Sequence, residues 1–178
     1  MKKRFLAGVF AAVVMVSMLA IIGLVAEEPA AASGSVAGLA HMEAGDIVYI
    51  GDSAIERAAD DEGPSDSVSG QTTEGFQVSS FAGNQSLDKT LSLTSTYRYW
   101  FIWVNNTGSN DIIVTIGNDE ETQTRNYHEM PKGKYYIWST NRWSNESHTV
   151  SFSNGAGMYG SAAARLCSTL KEAEAHNG

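Results

Sequence analysis

In the stretch Tyr97-Arg98-Tyr99-Trp100-Phe101-Ile102-Trp103-Val104 this chain shows its fold class most openly. Side chains of a strand alternate between two faces, so Tyr97, Tyr99, Phe101 and Trp103 share one face and Trp100, Ile102 and Val104 the other. Apart from Arg98, both faces are apolar. A strand of that kind belongs inside a sheet that is covered on each side, by a second sheet or by a neighbouring chain.

On either side of it, residues 76–81, 89–93, 111–117, 123–128, 134–140, 148–153 and 158–166 are short stretches rich in β-branched or aromatic residues, with turn-formers between them. Asn105-Asn106-Thr107-Gly108-Ser109-Asn110 joins two such runs and predicts a hairpin connection. Pro131-Lys132-Gly133 and Asn154-Gly155-Ala156-Gly157 mark further turns. His148, Val150 and Phe152 alternate with Thr149, Ser151 and Ser153, as in a strand with one wet face. Beyond the N-terminal segment, only residues 161–175 carry a helical period. The pattern predicts an all-β fold, an antiparallel β-sandwich of jelly-roll or Ig-like type with about seven or eight strands over residues 76–170, then a tail at 171–178.

Lys2, Lys3 and Arg4 precede an uncharged apolar run over residues 5–26. Positive charge held on the cytoplasmic side of such a run predicts export of the chain beyond it. Residues 1–32 are therefore expected to be a signal peptide cut after Ala30-Ala31-Ala32, or a membrane anchor in which 5–26 stays in the bilayer. Either way the chain is expected to be secreted or held in the extracytoplasmic envelope. Residues 33–75, rich in Ala, Gly, Ser and acids with one apolar island, are expected to be a flexible segment. Its run Asp60-Asp61-Glu62-Gly63-Pro64-Ser65-Asp66-Ser67 lacks the spacing of a calcium loop.

With 20 acidic against 12 basic residues and a formal charge of −8, the chain is a poor match for nucleic acid, whose binding depends on Lys and Arg at phosphates. A single cysteine, Cys167, excludes an internal disulfide, and its apolar neighbours Ala162-Ala163-Ala164 and Leu166 predict a small buried role. The four histidines show no zinc-binding spacing, and no metal or other cofactor is expected.

Asp46-Ile47-Val48-Tyr49-Ile50-Gly51-Asp52-Ser53 resembles the first block of the GDSL-type esterases, in which a buried strand delivers a nucleophilic serine. Ile112-Ile113-Val114-Thr115-Ile116-Gly117-Asn118-Asp119 is similar to that family's block bearing the oxyanion asparagine, one residue shorter. The resemblance implies an esterase using Ser53, Asn118 and His148. Its late acid is Asn145 here, and an amide cannot stabilise an imidazolium. The alternative reading of Gly51-Asp52-Ser53 is an N-cap for the turn beyond it.

Tyr135, Tyr136, Ile137, Trp138, Asn141, Arg142 and Trp143 crowd one strand and the turn after it. Flat rings beside hydrogen-bonding groups suit sugar recognition, so Tyr136, Trp138, Arg142 and Trp143 are the candidate ligand-binding residues; otherwise these rings fill a core. The expectation is a non-enzymatic binding or assembly module of the cell envelope, with a glycan or a protein as ligand. A structural fibre or layer subunit, self-associating through strand edges, is the other alternative to the esterase.

Overall fold

Strand dominates the residues that the computed structural model describes, which are 39–61, 63, 72–117 and 126–175, all within the unit Ala31–Gly178. After a short 3-10 turn at Leu39–His41 come β1 (Ile47–Ile50), β2 (Ser53–Arg57), β3 (Thr72–Val78), β4 (Ser86–Ser92) and β5 (Tyr99–Asn106). Next in the chain are β6 (Ile112–Gly117), β7 (Tyr127–Met130), β8 (Gly133–Ser139), β9 (Ser147–Ser153), β10 (Gly160–Cys167) and a short helix α1 (Leu170–Glu174). The expected leader and anchor, residues 1–32, lie outside the described residues.

Two antiparallel sheets result, a six-stranded one in the order β1-β2-β8-β5-β10-β3 and a four-stranded one in the order β4-β9-β6-β7. The doubly apolar strand β5 takes a central place, with Ile102 opposite Ile137 of β8 on one edge and Ala164 of β10 on the other. Both its edges are thereby used, so Asn105–Asn110 is not a hairpin connection. It carries the chain across to β6 in the other sheet, as the turns after β7 and β9 carry it across in the opposite direction.

The inner faces of the two sheets share a core. Trp100, Ile102 and Val104 of β5 cluster with Tyr135, Ile137, Ala164 and Leu166 from their own sheet and with Leu91, Val114, Ile116, Val150 and Phe152 from the other. Phe152 sits against both Phe76 and Phe81, with ring centroids 6.0 and 5.2 Å apart. Burying such side chains is the main force holding the sheets together, at about 2 kcal/mol or more for each.

The outer face of the six-stranded sheet is apolar too, and this chain covers it itself. Phe101, Trp103, Tyr136, Trp138 and Cys167 cluster with Ala58, which comes directly after β2, and with Leu170 and Ala173 of α1. Tyr136 donates from its hydroxyl to the Gly63 carbonyl at 2.7 Å, and Lys134 Nζ to that of Asp60. Helix α1 starts where β10 stops because Thr169 and Glu172 form a capping box, each side chain bonding to the other's backbone N–H.

Within residues 33–75, expected to be a flexible segment, the described residues contribute β1, β2 and the start of β3, while residues 33–38, 62 and 64–71 lie outside the described residues. The apolar island is enough, since Ala54 and Ile55 are fully buried and β2 pairs with β8 from Ser53–Ser139 to Arg57–Tyr135. Gly51-Asp52 is the two-residue loop of the β1–β2 hairpin rather than a helix cap. Gly51 has φ 58°, the positive value that the first position of such a loop requires.

Candidate functional site

Each residue singled out by sequence can now be placed. Ser53 lies at the start of β2 with no exposed surface, and its hydroxyl donates to Asn126 Oδ1 at 2.7 Å. His148 stands on β9 in the other sheet, its Nε2 3.2 Å from Ser144 Oγ and its ring 4.8 Å from that of Trp143. The serine is thus engaged by an amide, and the two residues that the esterase reading needs together are on different sheets. Asn118, its third member, lies outside the described residues.

The four candidate ligand-binding residues are not brought to one surface either. Tyr136 and Trp138 are 1 % and 3 % exposed on the outer face of the six-stranded sheet. Trp143 belongs to the core between the sheets, edge-on to Trp100 at 5.2 Å, with its carbonyl accepting from Arg98 Nε. Arg142 alone is exposed. The aromatic crowding is a consequence of packing, since alternation sends Trp138 outward and the turn folds Trp143 inward.

Two buried titratable groups are held neutral. Burial, reinforced by the nearby Glu172 and opposed by Arg165, pushes the Cys167 thiol up to about 12, which removes the thiolate a nucleophile needs. His128 faces inward from β7 with neither ring nitrogen hydrogen-bonded among the described residues, and burial lowers it to about 4. Among the described residues no three His, Cys, Asp or Glu side chains converge as a metal site would require.

The arrangement that does converge lies at the end of the six-stranded sheet where β2, β5 and β8 meet the turns before β6 and β8. An open hollow of about 430 Å³ there is lined by Arg57, Asp60, Asn105, Thr107, Lys132 and Lys134, with Asn106 and Gly133 completing its wall. That volume suits a small ligand or one or two sugar residues.

The wall is built by long-range contacts. Arg57 Nη1 donates to the Lys132 carbonyl at 3.0 Å and to the Tyr135 hydroxyl at 2.5 Å, while its Cζ stands 4.9 Å from the Tyr135 ring centroid. Gly133 makes room for the guanidinium: at φ 140°, a Cβ added there would overlap Nη1 outright. Asn106, 1 % exposed, donates through Nδ2 to the carbonyls of Asn110 and Met130 and accepts from the Gly108 amide, which pins the Thr107 side of the rim. Tyr135 is raised from its ordinary value by burial, with Arg57 pulling the other way and Asp111 adding to the rise.

Sequence reasoning missed this site. Asn105-Asn106-Thr107 and Pro131-Lys132-Gly133 register only as turns, and Arg57 falls in the segment expected to be flexible. The one local signal was the interleaving of glycine with lysine at Lys132-Gly133-Lys134, which a turn explains equally well.

Comparison with protein-family models, with curated proteins and with solved structures gives no match.

Proposed function

We propose that this chain is an exported, non-enzymatic binding module whose ligand, a cell-surface glycan or an envelope protein, is taken at the hollow beside Arg57. The observation that carries this reading is the convergence there of three cations and a fixed asparagine loop from four separate elements. Arg57 and Asn106, each held by more than one hydrogen bond, and Gly133, whose φ of 140° strains any substitution, form a preorganised surface.

The finer architecture belongs to the same proposal. Strands β3 to β10 take the jelly-roll order, β8-β5-β10-β3 against β4-β9-β6-β7, and β1 and β2 extend the first sheet beyond β8. Lectin and capsid domains use that architecture, an analogy of fold alone. Residues 5–26 would serve as the export signal or anchor, and labelling of intact cells for surface-accessible protein, with N-terminal sequencing of the mature form, tests this part.

The binding reading is tested by titrating the full-length chain with envelope polysaccharide and with envelope protein extract. Saturable binding that Gly133→Ala abolishes is expected, and binding indifferent to that change would place the ligand elsewhere.

A second reading, assembly with further copies, has one observation in its favour. Strand β1 is a sheet edge carrying Ile47 and Tyr49, 46 % and 71 % exposed, on one face. Sedimentation over a concentration series tests it: association that Tyr49→Lys suppresses supports the assembly role, and a strict monomer removes it.

A further inference from the structure

Resting on that binding reading, we infer that the hollow recognises an anionic group, a carboxylate or a phosphate, carried on a polysaccharide. The argument begins with charge. This is an acidic chain, with 20 Asp and Glu residues, yet Arg57, Lys132 and Lys134 line one hollow in which Asp60 is the single carboxylate among the described lining residues, with Asp111 close enough to act on Tyr135.

Among the described residues Arg57 has no ion-pair partner. Its Nη1 is spent on two neutral oxygens, the Lys132 carbonyl and the Tyr135 hydroxyl. The two N–H groups on its other edge, at Nε and Nη2, have no acceptor among the described residues. That edge is the planar fork that binds a carboxylate or phosphate through two parallel hydrogen bonds. The fork is also held still. The Tyr135 ring lies beneath the guanidinium and Gly133 beside it, so close that a Cβ there would overlap Nη2 as well.

Lys132 is exposed at the rim, and its ammonium has no partner among the described residues, which suits a second, water-facing contact to the same charge. Asn105 and Thr107 line the opposite side and offer an amide and a hydroxyl, the neutral partners that sugar hydroxyls need. An acidic sugar residue presents both kinds of group at once. A charged ligand also reconciles the cations here with the negative charge of the chain, since the local field attracts what the rest of the surface repels.

The test is an amide-resolved NMR titration of the isotope-labelled full-length chain with oligogalacturonate, with a neutral galactan of equal length, and with inorganic phosphate. Oligogalacturonate is expected to shift the amides of Asn105, Thr107, Lys132 and Lys134 saturably, with affinity falling as salt rises. Arg57→Lys should weaken that binding about tenfold, because an ammonium has no fork. Lys132→Gln, at an exposed position that leaves the fold untouched, should weaken it about threefold, the loss of one partly screened charge. Phosphate shifting the same amides supports the same fork and identifies the anion as the recognised part.

Equal binding of the neutral galactan, unaffected by Arg57→Lys and Lys132→Gln, overturns the anionic assignment while leaving the hollow as a binding site. Silence at these amides with all three probes overturns the anionic assignment; binding of another ligand at these amides would preserve the broader reading.

Discussion

Acidification should weaken this fold through one residue, His128. The imidazole faces inward from the edge strand β7, opposite Val114 and beside Met130, with neither nitrogen hydrogen-bonded among the described residues. Tyr127 and Glu129, its neighbours on the strand, alternate to the other face, where the Tyr127 hydroxyl donates to Glu129 at 2.7 Å. Nothing among the described residues there compensates a proton on the ring, and burial lowers its pKa from 6.5 to about 4. The unfolded chain therefore binds the proton first. Stability is undiminished above about pH 7, falls as the pH drops below 6.5, and reaches its full loss below about 4. At 1.36 kcal/mol per pH unit the whole gap is worth about 3 kcal/mol, of which about 2 kcal/mol has gone by pH 5. In urea titrations, with a slope of about 2 kcal/mol per molar, the unfolding midpoint should fall by about 1 M between pH 7.5 and pH 5. His128→Leu removes the titration without breaking a hydrogen bond, and His128→Gln keeps a polar but untitratable group. Both should flatten this pH dependence. A wild-type chain and both variants that lose stability in parallel would disprove the role given to the histidine.

Other changes have distinct expected outcomes. Phe152→Ala removes a ring packed against Phe76 and Phe81 and should cost about 3–5 kcal/mol in equilibrium unfolding, whereas Arg142→Ala, at an exposed turn, should change stability by less than about 0.5 kcal/mol. Thr169→Ala deletes half of the capping box and should cost about 1 kcal/mol, with a red shift in tryptophan emission as α1 loosens over Trp103 and Trp138. Ser53→Ala loses its bond to Asn126, about 1 kcal/mol by thermal unfolding, and should leave any ester hydrolysis by the preparation unchanged; loss of such turnover would restore a catalytic role to Ser53. Iodoacetamide should label Cys167 only after unfolding, since its thiol is buried and pushed up to about 12.

Much of the strand content was legible because its signals are local. The alternation of Tyr97 to Val104 marks a central strand wherever it occurs, and β6, β8 and β9 match the expected runs closely. The errors came where local chemistry fits two outcomes. Gly51-Asp52 reads as a cap or a hairpin loop, and the choice fell to β2, whose Ile55 is buried opposite Ile137 of β8. Thr169-Leu170-Lys171-Glu172 carries a capping box that the neighbouring strand-like run obscured. Trp138 and Trp143, five positions apart, look like one aromatic platform, but the six-stranded sheet passes between them.

Read alone, the residues establish the class: a β-rich chain without an internal disulfide whose central strand is covered on both faces. Alternation, turn chemistry and cysteine number are properties of short windows, and they survive any arrangement of the strands. The assembled fold settles the rest, namely which element covers each face, which edges pair and which polar side chains are brought together. Strand β5 is flanked by β8 and β10 rather than by its neighbour β6, and its outer face is closed by the segment after β2 and by α1. Arg57 meets the Lys132 carbonyl across 75 positions of chain, in a hollow to which neither contributes any recognisable motif. Contacts of that range depend on the competition of all strand edges and apolar faces for one another, and no short window contains that competition.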